Sequence, residues 1–182
     1  MKKLAVFILY SESGASSRYR TFIFKDELEK EFDVNWYSFW NESYSSKYMW
    51  KKKKYAPIIA WIYLIAVLKR VIQLMFFAPK YDVVYLQKAS IPKIRKTFLS
   101  RLKKKGVRIV FDVDDAIYEN SRDNSDKIAR QAFSIICGNE TLKEHYSKFN
   151  SNCVVLPTIE NTMLYEPFWN DTFKEKNWMD WQ

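Results

Sequence analysis

Six short apolar segments, separated by stretches with helical character, constrain the fold of this 182-residue chain more than any other feature. Each apolar segment has the length of a buried β-strand. Parallel strands need helical crossover connections, so the alternation predicts an α/β fold: a doubly wound, mostly parallel, six-stranded Rossmann-like sheet with helices on both faces. The predicted strands span residues 4–10, 33–40, 81–87, 107–115, 133–138 and 153–157.

The stretches between these strands indicate helices and the end of a domain. Pro57 stands in the first turn of one predicted helix, and Gly106 directly follows another, as C-terminal glycines do. The aromatic residues of 168–182 follow neither a strand period nor a helix period. We therefore expect one domain over residues 1–167 and a linker-like tail after it. The predicted helices span residues 17–32, 57–77, 91–106, 124–133 and 139–150.

The stretch SGASSRYRTF, residues 13–22, marks the turn from the first strand into the first helix. In a doubly wound sheet this turn faces the ligand, and backbone N–H groups beside arginines suit a phosphate or a carboxylate. Arg18 is the first candidate because it lies nearest the turn; once helical, it diverges from Arg20 by about 200°. Both arginines could instead solvate the helix or pair with acids such as Glu12. The candidate anion ligands are Gly14, Ser16, Ser17, Arg18 and Arg20.

Two further loops are expected at the same edge of the sheet, because the carboxyl ends of parallel strands meet there. The fourth strand ends in Asp112, Asp114 and Asp115, and the fifth is followed by the turn Gly138–Asn139. The three loops therefore converge on one candidate site. The carboxylates could instead cap the next helix or pair with basic loops.

Positive charge is concentrated in the middle of the chain. Residues 47–108 contain 17 Lys or Arg and one acid, a net charge of +16, whereas the rest of the chain carries −7. One region of the surface must therefore be strongly basic. His145 is the only histidine, and Cys137 and Cys153 lack metal-ligand spacing, so we predict no metal site and free thiols in a reducing cytosol. No nucleic-acid-binding motif accompanies the basic segment, so nucleic acid is not expected as a partner.

The predicted helix at residues 57–77 is unusually apolar. Residues 55–68 carry no charge, a stretch shorter than the roughly 18–20 residues that span a bilayer, and Lys69–Arg70 interrupts the run. The polar stripe of this helix is narrow, so one apolar face needs a second partner. We expect that face to lie in the plane of an anionic membrane, unless the fold covers it. The predicted membrane-facing residues are Lys51, Lys52, Lys53, Lys54, Trp61, Leu64, Lys69 and Arg70.

Five segments, in order, resemble one known family: GASSRYR, YDVVYLQK, IVFDVDDAIY, IICGNETLKEHY and VVLPTIENTMLY. Over about residues 1–167 the chain is similar to the amino-terminal domain of family 4-like glycosyltransferases of the GT-B fold, particularly those that assemble bacterial surface polysaccharides. In that family two Rossmann-like domains face each other across a cleft. The first mainly shapes the acceptor side, and the second binds the nucleotide-sugar.

The resemblance implies transfer of a sugar from a nucleotide-sugar donor, without a cofactor, to a polysaccharide or lipid-linked acceptor. It also implies a cytoplasmic protein, peripheral to the inner face of the plasma membrane. The sequence stops at Gln182, before a donor-binding second domain, so the chain alone is expected to be inactive. By the resemblance, the loop that approaches the donor phosphates is Gly14–Ser17, the arginines behind it are Arg18 and Arg20, the acceptor-facing acids are Asp112, Asp114 and Asp115, and the turn after the fifth strand is Gly138 and Asn139.

Other interpretations of these residues remain open. The spacing of Asp112 and Asp114 is similar to the nucleophile motif of haloacid-dehalogenase-type phosphatases, although that motif follows the first strand of its sheet. It is also similar to the metal-binding Asp-x-Asp of the other large glycosyltransferase fold, with a different neighbourhood. As a separate class, the chain could be a non-catalytic Rossmann-like module that binds an anionic membrane or nucleic acid through its basic segment.

Overall fold

The protein, described here by a computed structural model over residues 1–41, 44–48, 54–119 and 124–159, is built on one six-stranded sheet. Its strands are β1 (Lys2–Ile8), β2 (Phe32–Ser38), β3 (Val83–Gln87), β4 (Arg108–Val113), β5 (Ser134–Cys137) and β6 (Cys153–Val155). They lie in the order β2-β1-β3-β4-β5-β6, and every neighbouring pair is parallel. The predicted fold class is confirmed. The expected domain end near residue 167 and the tail at 168–182 lie outside the described residues.

The first predicted helix is split into two. Thr21 breaks it with φ −132° and ψ −54°, and a single 3-10 turn follows at Phe22–Phe24. The Thr21 side chain is buried, and its hydroxyl lies 3.4 Å from that of Tyr85, so a contact with the sheet fixes the break. The α-helices are α1 (Ala15–Arg20), α2 (Lys25–Glu31), α3 (Ala56–Ile72), α4 (Ser100–Lys104), α5 (Ser125–Ala129) and α6 (Glu140–Ser147).

The helix predicted over residues 91–106 is wrong for most of its length, because only α4 forms there. The segment before α4 follows an irregular path in which Lys93 and Phe98 adopt φ values of 63° and 58°. These values lie outside the right-handed helical region. The Asn124 amide donates to the Ile94 carbonyl at 2.6 Å, so a distant side chain satisfies a backbone group that a helix would have satisfied locally.

Alternate side chains of β1 enter two separate cores, one on each face of the sheet. Leu4, Val6 and Ile8 face the side covered by α1 and α2, which form the first crossover connection. Ala5 and Phe7 face the other side, where α3 to α6 pack. β1 is therefore covered on both faces, as in a doubly wound sheet.

The second crossover connection is a single long helix. α3 continues through a π-helical turn at Gln73–Phe77 and a 3-10 turn at Ala78–Lys80, so Ala56–Lys80 forms one helical segment of 25 residues, called the long helix below. Among the described residues it is the one helix that is long and apolar enough to cross a membrane, with a mean hydropathy of 1.9 in its most apolar window. Only 22 % of that window is buried.

Arg70 lies on the inner face of the long helix, so the prediction that it faces a membrane is wrong. Its side chain is buried, and Nη2 donates to the carbonyls of Ile8 at 3.1 Å and Tyr37 at 2.9 Å. The guanidinium carbon lies 4.9 Å from the ring centre of Phe7 and 5.6 Å from that of Phe39. Burial lowers the pKa of Arg70 to about 9. The side chain thus fastens the long helix to the carboxyl ends of β1 and β2.

Candidate functional site

The candidate site lies at the carboxyl ends of β1, β3 and β4, where the strand order reverses. β1 has β2 on one side and β3 on the other, and the crossovers after β1 and β2 pass over opposite faces. Doubly wound folds bind ligands at such a switch point. The turn from β1 into α1, together with the first turn of α1, forms one wall; these residues, 9–18, are called the elbow below.

Gly14 is required in the elbow for packing reasons. A Cβ atom at this position would lie 2.4 Å from the Cβ of Tyr10. The Gly14 N–H donates to the Ser11 carbonyl at 2.9 Å, so it is already used within the elbow. The helix that follows has only six residues and no side-chain cap, and few peptide dipoles add up in so short a helix. Side chains must therefore supply most of the affinity for an anion here.

Ser17 and Gln87 fasten the elbow to the end of β3. The Ser17 hydroxyl is buried and donates to Gln87 Oε1 at 3.0 Å, and it accepts from the Tyr10 N–H at 3.3 Å. The Gln87 amide donates in turn to the Ser16 carbonyl at 3.0 Å. With these partners the Ser17 side chain has a structural role beside the site.

Arg20 and Asp112 form a buried ion pair. The guanidinium donates to both carboxylate oxygens of Asp112 and to the Leu156 carbonyl, which follows β6. Burial disfavours the charged guanidinium, but the Asp112 carboxylate outweighs that effect and raises the pKa of Arg20. Both side chains are almost fully covered, at 2 % and 1 % exposure. The pair joins α1 to the middle of the sheet, so its charges neutralise each other below the site.

Asp114 and Asp115 remain at the site, and Lys88 holds them. The Lys88 ammonium lies 3.1 Å from Asp114 Oδ1 and also contacts Asp115 Oδ2. The Ser16 hydroxyl of the elbow donates to Asp114 Oδ2 at 3.3 Å. Burial disfavours the charged lysine, but the two carboxylates outweigh it and raise the pKa of Lys88. Asp115 is 63 % exposed, so this cluster presents carboxylate oxygens that can accept hydrogen bonds from substrate hydroxyls.

Arg18 is the exposed cation of the elbow. Its guanidinium carbon lies 5.0 Å from the ring centre of the adjacent Tyr19, and within the described ranges it forms no ion pair. Arg20, by contrast, is occupied by Asp112. Of the two arginines of the elbow region, Arg18 is therefore the one available to an anionic ligand.

The turn after β5 closes the site next to Asp114. A Cβ atom on Gly138 would lie 3.0 Å from the Asp114 Cα, so a side chain here would require the Asp114 backbone to shift by a few tenths of an ångström. The Gly138 N–H donates to the Val113 carbonyl at 2.8 Å. Asn139 caps α6 by accepting from the Leu142 N–H at 2.9 Å. Both residues have structural reasons to occupy this turn.

Sequence reasoning missed Gln87 and Lys88. They directly follow the apolar run of β3, and Lys88 adopts φ 63°, which is unusual for a residue with a side chain. Two polar residues at the carboxyl end of a buried strand, beside the switch point, could have been identified as candidate site residues. Their partners in the elbow and after β4 could be identified only from the fold.

The predicted membrane-facing residues are distributed unevenly. Trp61, Leu64 and Lys69 are exposed on the long helix, and Lys54 is exposed just before it. Lys51, Lys52 and Lys53 lie outside the described residues.

The fold has matches among solved structures, whereas no protein-family model and no curated protein matches the sequence. An alpha-glucosyltransferase in complex with UDP and a 13-mer DNA containing a HMU base is similar over 97 % of this chain, with a TM-score of 0.57 and 12 % identity. An alpha-glucosyltransferase in complex with UDP-glucose and DNA containing an abasic site is similar over 96 %, with a TM-score of 0.52 and 11 % identity. The chain spans 47 % of each of these proteins.

These matches define the class of fold. The six-stranded parallel sheet corresponds to one half of a GT-B fold, as the resemblance implied. At 12 % identity the likeness shows the fold alone, and membership of family 4 and a bacterial origin stay predictions. Both solved structures contain DNA.

Proposed function

We propose that this chain is the acceptor-side domain of a nucleotide-sugar glycosyltransferase. The observation that carries the proposal is that the elbow, which bears the exposed Arg18, contacts a carboxylate cluster through Ser16 at the switch point of a GT-B-like sheet. Arg18 lies on the elbow, and Ser16 of the same elbow donates to Asp114 at 3.3 Å. A cation and carboxylates on neighbouring loops of one site suit a substrate that has both phosphates and hydroxyl groups.

Each residue of the site has a proposed role that follows from its chemistry. In glycosyl transfer an acceptor hydroxyl oxygen bonds to the anomeric carbon, and the bond from that carbon to the nucleoside diphosphate breaks. The hydroxyl proton passes to a base, a role open to Asp114 or Asp115 at this site. Arg18 offsets the negative charge that builds on the leaving diphosphate. Lys88 is a positioning residue that holds both carboxylates.

The proposed acceptor is a surface polysaccharide or a lipid-linked saccharide, worked on in the cytoplasm at the inner face of the plasma membrane. The five segments that resemble those of family 4-like bacterial glycosyltransferases support this choice. In that family the donor is held mainly by a second domain. The proposal accordingly concerns the protein in its full-length form.

A second candidate function, with DNA as acceptor or ligand, is favoured by the net charge of the chain and by the matching structures. Residues 47–108 carry a net charge of +16, and both matching structures contain DNA. DNA is therefore the alternative acceptor or ligand. Binding to DNA would weaken steeply with salt, because lysines and arginines release counterions from phosphates.

The experiment is sugar transfer by the full-length protein, with nucleotide-sugars as donors and with lipid-linked saccharide, polysaccharide and DNA as separate acceptors. Arg18→Ala is expected to lower kcat/KM by about 10- to 150-fold, the equivalent of about 1.5–3 kcal/mol for a hydrogen bond to a charged group. Lys30→Ala, on the exposed surface of α2, is the matched control and should leave kcat/KM unchanged.

Three results would change the conclusion. Transfer to DNA alone selects the second candidate. Unchanged kcat/KM in Arg18→Ala would show that Arg18 is a surface residue with no part in the reaction. Absence of transfer to all three acceptors, with the protein folded, overturns the proposed activity.

A further inference from the structure

The outer face of the long helix is a continuous apolar surface. Of the 13 large apolar side chains exposed among the described residues, eight lie on this one segment, with 46–64 % of each exposed. Ile58, Trp61, Ile65, Leu68 and Ile72 succeed one another at intervals of three and four residues, which places them in a single stripe. A contiguous apolar patch rimmed by polar residues is typical of an interaction surface.

The inner face of the long helix excludes a transmembrane course in this fold. Leu74 and Gln73 are buried, and Arg70 donates to the Ile8 carbonyl at 3.1 Å. A spanning helix would have to leave the sheet, expose the core behind Leu74 and carry Arg70 into hydrocarbon. The segment can meet a bilayer only from the side, with its axis in the membrane plane.

Basic side chains border the apolar stripe. Lys54, Lys69 and Lys80 are exposed, and the segment Ala56–Lys80 contains no acid. Lys80 Nζ lies 5.6 Å from the ring centre of Phe77. Arg101 of α4 adds a further cation, with its guanidinium carbon 5.7 Å from the ring of Phe76. Cations that lie along apolar rings can keep their charged ends at a lipid headgroup while the rings enter the acyl region.

We propose that the outer face of the long helix docks in the plane of an anionic lipid bilayer. The stripe supplies apolar area, and the bordering cations meet anionic headgroups. A groove of about 420 Å³ between the long helix and β2, lined by Ile65, Leu68, Ile72 and Phe77, offers apolar space beside the stripe. This inference goes beyond the proposed transfer reaction and can hold or fail independently of it.

Docking would also orient the candidate site. A crossover helix runs from the carboxyl end of one parallel strand to the amino end of the next. The long helix therefore begins, at Ala56, on the same edge of the sheet as the elbow. Lys54, just before it, would lie at the membrane on that edge.

Other occupants fit the surface less well. A second copy of the chain would bring two bands of positive charge together around the stripe. Duplex DNA would match the cations but would leave the stripe without an apolar partner. An anionic bilayer complements both the charge and the apolar surface.

The experiment is cosedimentation of the full chain with vesicles of phosphatidylcholine mixed with phosphatidylglycerol, and with vesicles of phosphatidylcholine alone. We expect binding to the anionic vesicles, weak binding to neutral ones and release at high salt. The triple variant Lys54→Ser, Lys69→Ser, Lys80→Ser should bind anionic vesicles about 100-fold more weakly, since each lysine near the surface contributes about fivefold. Lys30→Ser, on the opposite face of the molecule, is the charge control.

A second pair of variants tests the apolar contribution. Leu68→Ser should weaken binding about tenfold through lost apolar burial. Phe133→Ser is the matched control, because Phe133 is 54 % exposed, close to the 56 % of Leu68, but lies before β5. Circular dichroism and the unfolding midpoint establish that each variant is folded. If Leu68→Ser does not fold, Trp61→Ser, at a position 64 % exposed, replaces it.

The proposal is supported if the long-helix variants lose binding and both controls keep it. It is overturned if the wild-type chain ignores anionic vesicles at low salt, or binds neutral vesicles equally well. Binding that is unchanged at high salt would show that the bordering cations do not contribute and would also overturn it. So would a change of oligomeric state in Leu68→Ser by analytical ultracentrifugation, or DNA binding that requires the same lysines without any vesicle binding.

Discussion

The two crossover connections that flank β1 both join neighbouring parallel strands, but their outer surfaces differ in polarity. The first covers one face of the sheet with α1 and α2, and the outward residues of α2 are charged: Asp26, Glu27, Glu29, Lys30 and Glu31. The second covers the other face with the long helix, whose outward residues are almost all apolar. Water is the natural environment of the first surface but not of the second. The contrast indicates that the outer face of the second crossover is adapted to a different environment.

The inner sides of the two connections differ as well, since each buries one arginine. Arg20 is neutralised by Asp112. Arg70 instead donates to the carbonyls of Ile8 and Tyr37 and stacks near aromatic rings, and within the described ranges it forms no ion pair. A buried pair becomes costly when one partner is removed, whereas removal of a lone cation leaves no opposite charge behind. The two arginines should therefore respond very differently to the same substitution.

The largest effect is expected for Arg20→Met. It leaves the Asp112 carboxylate buried without its partner and should lower the free energy of unfolding by about 3–5 kcal/mol. Urea denaturation followed by circular dichroism measures the change. Arg18→Met, on the exposed side of α1, is the control and should change stability by less than about 0.5 kcal/mol. Equal effects in the two variants would contradict the buried pair.

The loss of unfolding free energy in Arg20→Met should depend on pH. Burial raises the pKa of Asp112 and Arg20 opposes that shift, so removal of Arg20 raises the pKa further. An acid whose pKa is raised by folding favours the folded state at low pH and loses that contribution as pH rises through the raised pKa. The deficit relative to wild type should be largest near pH 7 and shrink by about 1.4 kcal/mol or more towards about pH 4. A deficit that is constant with pH would exclude an unpaired carboxylate as its cause.

A smaller effect is expected for Arg70→Met. The variant loses two hydrogen bonds to carbonyls, but it also removes a buried charge, whose pKa burial lowers to about 9. The Ile8 carbonyl keeps its bond from the Phe39 N–H at 3.0 Å, and methionine packs well among aromatic rings. Stability should fall by about 1–2 kcal/mol. A loss as large as that of Arg20→Met would show that the two buried arginines are equivalent.

The fold was predictable from sequence because strand length and helical crossovers are local patterns. All six strands lie where they were predicted, within a few residues, and their parallel arrangement follows from the connections. The helix at residues 91–106 failed because Asn124, distant in sequence, bonds the backbone there. Local periodicity carries no information about such a partner.

The candidate site was only partly predictable for the same reason. Sequence placed Arg18, Asp114 and the elbow at the correct edge of the sheet, since that edge is fixed by topology. It could not show that Asp112 is paired with Arg20, or that Lys88 holds the remaining carboxylates. Pairing depends on which strand is the neighbour of which. Arg70 was placed on the wrong face because a single buried cation runs against the usual preference of arginine for water.

The smallest effect is expected on the outer face of the long helix, and it is the sharpest test of the contrast between the crossovers. Leu68→Ala removes a large side chain that is 56 % exposed, so it should change the free energy of unfolding by less than about 0.5 kcal/mol. Leu74→Ala, on the inner face of the same segment, removes a fully buried side chain and should cost about 2–5 kcal/mol. Thermal and urea unfolding of both variants measure the difference. A large loss in Leu68→Ala would mean that the outer face stabilises the fold itself, and a partner would no longer be needed to explain its apolar character.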